Sequence, residues 1–294
     1  MQLGFIGLGT MGRPLALHLI DAGYSLSIFA RREETAKPLV EAGAVACPTP
    51  AAVAEQSDVI FTMVTATADV QQVVLGKDGI IHGARKGTLL IDLTSIDPSV
   101  TRDISKALAD VGVDMLDAPV TGGPQGAKDA SLTIMVGGPQ KAFERAQPLF
   151  KVLGHTSVHM GEAGSGQTTK ACNQIAIVVT AQAVAEALTL ARNTGLDPEQ
   201  VRQVLMGGIA SSQVMELFGS HMTSREFSAG CESRLYHKDI DVALQIGHSC
   251  GTALPATALT MQFINAMMGA HREHQDFSAL ITVIEQLATA PDSQ

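Results

Sequence analysis

The chain has 294 residues, 46% of them hydrophobic and 17% charged, and a formal net charge of −9. That length favours two domains, and that apolar share builds a sizeable core rather than a disordered chain. The acidic balance, without a run of five basic residues, excludes nucleic acid and anionic membrane as partners, and the low charge content points to apolar area hidden between subunits.

Up to about residue 160, short apolar runs alternate with helical patterns. The strand-like runs are LGFIG (3–7), LSIFA (26–30), DVIFTMV (58–64), TLLIDL (88–93), VDMLDA (113–118) and LTIMVGG (132–138). Amphipathic stretches at 14–22, 34–42, 68–75 and 98–111 lie between them. This rhythm predicts βαβ units, a mostly parallel sheet and, with right-handed crossovers, a doubly wound fold. Beyond Gly161 the pattern becomes wholly helical. One helix is predicted over 166–193, about 40 Å long at ~1.5 Å per residue. Being apolar on several faces, it should be buried on more than one side. Asp197 and Pro198 supply the next helix start, as cap and first turn. Further helices are predicted over 243–248 and 256–269. No internal repeat or low-complexity segment interrupts the chain.

Cys47, Cys172, Cys231 and Cys250 are far apart and form no CxxC pair. They read as buried thiols of a reducing compartment. MQLGFIGLG lacks a basic n-region, so no signal peptide is expected there. The most apolar segment, 175–190, carries Gln182 and Glu186 and is shorter than the about 20 residues that a bilayer requires. A soluble, cytoplasmic protein is the reading. His271 and His274, three apart in HREH, read as a solvated helix end, and no metal site is expected.

FIGLGTMG (5–12) places three glycines between a predicted strand and a predicted helix. In that context Gly7 permits a tight turn, Gly9 admits a pyrophosphate to the backbone, and Gly12 lets the helix pack on the sheet. The helix N-terminus then offers unpaired N–H groups and a positive dipole to the anion. Gly7, Leu8, Gly9, Thr10, Met11 and Gly12 are therefore the candidate cofactor loop. The second strand ends in Phe29-Ala30-Arg31-Arg32, with no acid for a ribose 2′-hydroxyl but two guanidiniums suited to a 2′-phosphate. Arg31 and Arg32 thus favour NADP(H). Glu33 and Glu34 follow slightly late and leave NAD(H) open.

DAPVTGGP (117–124) is a loop directly after a strand. Gly122 and Gly123 free the backbone to aim N–H groups at a carboxylate, and Thr121 adds a hydroxyl. An ordinary turn is the alternative, but open α/β sheets bind ligands at such strand ends. Lys170 stands near the start of the long helix, where the dipole and the following apolar run both disfavour its ammonium form. A lysine so placed eases proton transfer; a snorkelling surface lysine is the bland alternative. Asn173 and Gln174, three and four residues on, share its face.

At this point the motifs resemble a family, the β-hydroxyacid dehydrogenases. FIGLGTMG is similar to that family's cofactor signature, DAPVTGGPQGA to its substrate loop, GSGQTTKACNQ to its catalytic helix start, and HKDIDVAL (237–244) to its later lysine–aspartate motif. KACNQ and GGIASSQVMEL (207–217) are similar to the tartronate semialdehyde reductase branch. The resemblance implies an α/β Rossmann-type N-terminal domain (1–162) and an all-α C-terminal domain for substrate and oligomerisation (163–294), joined by a long helix. It implies NAD(P)-linked reduction of a small carboxylate-bearing semialdehyde, with Lys170 catalytic. Thr121, Gly122 and Gly123 would cradle the carboxylate, and Asn173 would touch substrate. Thr94 would lie beside the nicotinamide ribose, Lys238 would reach the cofactor, and Asp239 would stand near the site. A homodimer or homotetramer is implied as well.

The departures bear on the substrate. Thr121 replaces a usual Ser, Gln174 stands where many members carry Asn, and Cys231 aligns with a frequent Phe; Glu232 and Arg234 add charge. Tartronate semialdehyde fits best, with 3-hydroxyisobutyrate and 4-hydroxybutyrate as rivals. A non-catalytic dinucleotide-binding module is the rival of another class, and Lys170 with Asn173 argues against it. Lys170 also argues against an imine reductase, which generally lacks the lysine.

Overall fold

The six apolar runs of the first half all become strands, because β-branched and aromatic side chains fit a pleated sheet buried on both faces. The computed structural model describes residues 1–228 and 230–287. Its strands are β1 (Gln2–Ile6), β2 (Ser25–Phe29), β3 (Val45–Ala46), β4 (Val59–Thr62), β5 (Leu89–Asp92), β6 (Asp114–Asp117), β7 (Val120–Thr121), β8 (Leu132–Gly137) and β9 (Gly154–Gly161). They form one sheet in the order β3-β2-β1-β4-β5-β6-β8-β7, with β9 paired to β8. From β3 to β6 all neighbours are parallel. The chain then reverses, and β8 runs antiparallel to β6 and β7.

The helices around this sheet are α1 (Gly12–Asp21), α2 (Glu33–Glu41), α3 (Pro50–Glu55), α4 (Thr67–Leu75), α5 (Pro98–Ala109), α6 (Gly123–Lys128), α7 (Gln140–Leu153) and the start of α8 (Ser165–Asn193). Alternate strand residues serve opposite faces. Phe5, Phe61 and Ile91 join one core cluster, while Ile6, Ile60 and Leu90 join another. Sequence reading missed β3 and β7, which are too short for a period of two, and β9, whose only apolar alternation, Val158 and Met160, is exposed. It also passed over α3, α6 and α7, the last carrying Pro148 inside the helix.

By compactness the first unit is Met1–Lys170 and the second begins at Ala171. The second comprises the rest of α8, α9 (Pro198–Met206), a π-helical turn (Met215–Gly219), α10 (Ser220–Ser224), α11 (Ser233–Cys250), α12 (Pro255–Gly269) and α13 (Leu280–Leu287). Asp197 caps α9 as expected, accepting the Glu199 N–H at 2.9 Å, with Pro198 in the first turn. α11 starts ten residues earlier than predicted, because Tyr236, Ile240, Ala243 and Gly247 carry the buried stripe through a polar stretch.

Two expectations are corrected, those on membrane length and on the cysteines. In α8, Val178, Ala181, Ala185 and Leu188 are buried, whereas Cys172, Ala176, Ala183 and Leu190 are exposed. Its 29 residues include a window with mean hydropathy 1.6, so length alone does not exclude a membrane span. Membership of the helical core built around Val178, Val184, Leu188, Phe218 and Ile264 makes it a core helix instead. The four cysteines are free thiols but not buried ones, since Cys172 and Cys250 are exposed and Cys47 and Cys231 half-buried.

The first turn of α8 is fastened to the sheet by a buried carboxylate. Asp117, the last residue of β6, accepts the Gly164 N–H on Oδ1 (2.8 Å) and the Gln167 N–H on Oδ2 (2.9 Å). An Asp117→Ala variant would leave these buried N–H groups without an acceptor. It is expected to lose about 2–4 kcal/mol of stability, read by chemical denaturation.

Candidate active site

Parallel register brings the candidate cofactor residues to one edge of the sheet. Phe29, Ile6, Thr62, Asp92 and Asp117 are successive neighbours across β2, β1, β4, β5 and β6. Each strand ends at or beside that row, so the loops carrying Gly7–Gly12, Arg31 and Arg32, Thr94, and Thr121–Gly123 all leave from the C-terminal edge. Open α/β sheets bind ligands there.

The three glycines of the first loop have different reasons. Gly7 has φ +100°, and a Cβ there would meet the Met63 carbonyl oxygen at 2.2 Å; one at Gly12 would meet the Gly7 carbonyl oxygen at 1.9 Å. Folding itself demands both. Gly9 has no positive φ and nothing within 4 Å of its Cβ position, and it is exposed together with Thr10. The open space at Gly9, before a helix start without a side-chain cap, fits a pyrophosphate lying against the backbone. Leu8 is 3% exposed in the core, and Met11 packs partly against it, so that loop presents mainly backbone.

Arg31 is 82% exposed on its side chain and stands 4.0 Å from Asp69, which also accepts the Ala66 N–H at the start of α4. Arg32 is the N-cap residue of α2, with Glu33 and Glu34 in the first turn behind it. No acid occupies the end of β2, and both guanidinium-bearing residues that follow it are exposed.

At the ends of β5 and β6 two buried carboxylates lie in the same register. Asp92 Oδ1 accepts the Thr62 hydroxyl (2.8 Å) and the Thr94 N–H (3.1 Å), whereas Oδ2 is buried without a partner. Burial pushes its pKa up to about 6 against the opposing hydrogen bonds of Thr94 and Thr62, with Asp117 adding repulsion. Asp117 is also raised by burial, opposed by the N–H groups of Gly164 and Gln167. Thr94 is 2% exposed, and its hydroxyl accepts the Val64 N–H at 3.1 Å. Thr94 therefore presents its loop rather than a free side chain at this edge.

The substrate-loop candidates follow. Thr121 pairs with Thr133 across β7 and β8. Gly122 (φ +131°) and Gly123 (φ +63°) adopt left-handed backbone, and nothing lies within 4 Å of a Cβ at Gly123. Both glycines are exposed. Lys170 is half-buried on α8, one residue past a turn that Gln167 ties down. Gln167 Nε2 donates to the Thr94 carbonyl (2.7 Å) and its Oε1 accepts the Ile96 N–H (3.0 Å).

In the helical unit the later candidates form one chain of contacts. Asn173 donates to Gln174 (2.9 Å), Gln174 donates to Asp239 (2.7 Å), and Lys238 Nζ lies 3.2 Å from Asp239. Two separate motifs, KACNQ and HKDID, thus meet. Sequence reading gave no role to Asp92, Asp117 or Gln167. An acid closing an apolar strand, and an amide in the first turn of an apolar helix, were the available signals. Among the described residues no group of three metal-ligating side chains occurs. His271 lies in a turn after α12, and His274 lies 3.4 Å from Glu232. His155 and His159 have a helical metal spacing but lie on β9, where residues four apart are about 13 Å apart.

Fold and edge together define a protein of the Rossmann, dinucleotide-binding type. The description "NAD binding domain of 6-phosphogluconate dehydrogenase" matches residues 2–161, and "NAD-binding of NADP-dependent 3-hydroxyisobutyrate dehydrogenase" matches residues 164–284. The chain is 41% identical to 2-hydroxy-3-oxopropionate reductase of Escherichia coli over 98% of each chain. It is 36% identical to 2-(hydroxymethyl)glutarate dehydrogenase of Eubacterium barkeri over 98% of this chain and 96% of that one. A 3-hydroxyisobutyrate dehydrogenase structure from Mycobacterium tuberculosis, with L-serine, superposes with a TM-score of 0.88 at 28% identity, covering 97% of this chain and 99% of that one. The chain belongs to the 3-hydroxyisobutyrate dehydrogenase-like β-hydroxyacid dehydrogenase family, whose members are NAD(P)-dependent oxidoreductases.

Two outcomes are expected from this geometry. Gly9→Ala should keep the wild-type melting temperature yet bind NADPH at least about tenfold more weakly in a fluorescence titration, because only the ligand needs that space. Gly12→Ala should instead melt early. Asp92 supplies the second outcome. Its raised pKa means that the folded protein bears an ionisation penalty of about 3 kcal/mol, absent below pH 4 and complete above pH 6. Asp92→Asn removes that penalty, so its stability relative to wild type should rise steadily between pH 4 and pH 7 in parallel denaturation curves.

Proposed function

We propose that the protein reduces a small acid semialdehyde to its hydroxy acid, tartronate semialdehyde to glycerate in first place, with NADP(H) as the preferred coenzyme. The observation that carries the reaction is the start of α8, fixed through Asp117 and Gln167, on which Lys170 follows as the last residue of the first unit. The 41% identical relative named 2-hydroxy-3-oxopropionate reductase supports the substrate, since that name denotes tartronate semialdehyde. The exposed Arg31 and Arg32 support the coenzyme.

Gly7, Leu8, Gly9, Thr10, Met11 and Gly12 would hold the pyrophosphate, Thr94 would lie beside the nicotinamide ribose, and Lys238 would reach the coenzyme. When bound, the nicotinamide supplies the hydride. The N–H groups of Gly122 and Gly123 and the Thr121 hydroxyl hold the substrate carboxylate and so orient the aldehyde. Lys170 Nζ donates a proton to the carbonyl oxygen as that oxygen gains negative charge, which contributes about 10²–10⁴-fold. Asn173 and Gln174, the latter held by Asp239, contact the substrate hydroxyl. In the oxidative direction neutral Lys170 takes the same proton back. A second copy of the chain would cover the exposed face of α8, giving a homodimer or homotetramer.

Purified protein should oxidise NADPH faster than NADH with tartronate semialdehyde. Lys170→Ala should lose at least about 10³-fold in kcat while its NADPH affinity in fluorescence titration stays within twofold. Turnover confined to methylmalonate or succinate semialdehyde would keep the mechanism and change the substrate. No turnover by wild type on any of them, with NADPH still bound, would favour a dinucleotide-binding module.

A further inference from the structure

Gln167 is a buried residue whose amide oxygen, amide nitrogen and backbone N–H each have a partner in another element. It is 2% exposed. Nε2 donates to the Thr94 carbonyl, Oε1 accepts the Ile96 N–H, and its own N–H donates to Asp117 Oδ2. Thr94 in turn accepts the Val64 N–H. The loop after β4, the loop after β5, the end of β6 and the first turn of α8 are therefore one hydrogen-bonded block. Only a side chain that donates and accepts at once can bridge a carbonyl and an N–H two residues apart. A carboxylate has no proton for the Thr94 carbonyl, and an ammonium has no lone pair for the Ile96 N–H.

Lys170 lies three residues further along the same helix, less than one turn away. We infer that Gln167 is a positioning residue for the proton transfer by Lys170: its amide fixes the start of α8, from which Lys170 follows, against the Thr94–Ile96 loop. This rests on the proposed role of Lys170. Proton transfer demands heavy atoms within hydrogen-bond reach, and a misplacement near 1 Å costs about 10²-fold in rate. A buried amide on a rigid helix supplies that placement without touching substrate.

Two variants test it in the full-length protein. Gln167→Met keeps the shape and removes both hydrogen bonds. It should lower kcat by about 10²-fold while KM for the semialdehyde and the NADPH dissociation constant stay within about threefold. Gln167→Glu is the conservative rescue. Ionised, it repels the Thr94 carbonyl; protonated, it donates to Thr94 and accepts from Ile96, as the amide does. Its kcat relative to wild type should therefore recover as pH falls from 8 to 5. Asp117 and Asp92 on the sheet and Lys170 on the same helix are present in both proteins, so the ratio at each pH is the readout.

Wild-type kcat in folded Gln167→Met, or a variant-to-wild-type ratio for Gln167→Glu that is flat with pH, overturns the inference. So does a loss of NADPH affinity equal to the loss in kcat, which would make Gln167 a coenzyme-loop support only. Full turnover by Lys170→Ala would instead overturn the reading of Lys170 itself.

Discussion

The carboxylate of Asp117 is the constraint on which the first unit depends. It closes β6 and receives the N–H groups that begin a 29-residue helix. A helix N-terminus favours negative charge, and burial strengthens the attraction by excluding water. The neighbouring glycines follow from it. A Cβ at Gly137 would meet Asp117 Oδ1 at 2.6 Å, and one at Gly166 would meet Oδ2 at 2.9 Å and the Met135 carbonyl at 2.4 Å. The helix approaches the sheet so closely that no side chain fits between them, and that closeness sets where Lys170 stands.

Asp92 and Asp117 occupy the same register on adjacent strands but meet different surroundings. Asp117 has a helix terminus to neutralise it, whereas one oxygen of Asp92 has no partner at all. Two charges side by side in a dry interior disfavour each other, and the less compensated one bears the larger penalty. The fold retains Asp92 because its other oxygen organises the Thr62 hydroxyl and the Thr94 N–H. Stability is given up there to shape the loop at the coenzyme edge, a common arrangement where function and folding compete.

The strands of the first unit were legible because their apolar runs are buried on both faces, and α9 because Asp197 and Pro198 mark its start. The polar β9 was not, since its partner β8 and not its own pattern makes it a strand. At the site, the strand before FIGLGTMG and the helix after it were legible, and folding alone explains Gly7 and Gly12 but leaves Gly9 without a structural reason. Lys170, Thr121 and Asn173 were named from motifs, as candidates. Gln167 and Asp117 were not, because their roles lie in contacts 50 and 73 residues apart along the chain. Local periodicity carries no trace of a buried amide meeting a distant carbonyl.

Thr121, Gln174 and Cys231 are the departures that the sequence raises as substrate determinants. Cys231 aligns with a frequent Phe, and its size invites a pocket argument. Its N–H instead donates to buried Asp276 at 3.2 Å, and it packs against the helical core beside Tyr236. There a smaller side chain changes core packing first. Thr121 differs: it is half-exposed at the mouth of the glycine loop, where one methyl is worth about 1–3 kcal/mol of discrimination. Gln174 is longer than the Asn of many relatives, and Asp239 holds its extended amide. Relatives sharing 36–41% identity with this chain carry names with different substrates. A difference of one methyl is sufficient in energy to separate two such substrates wherever it meets the ligand.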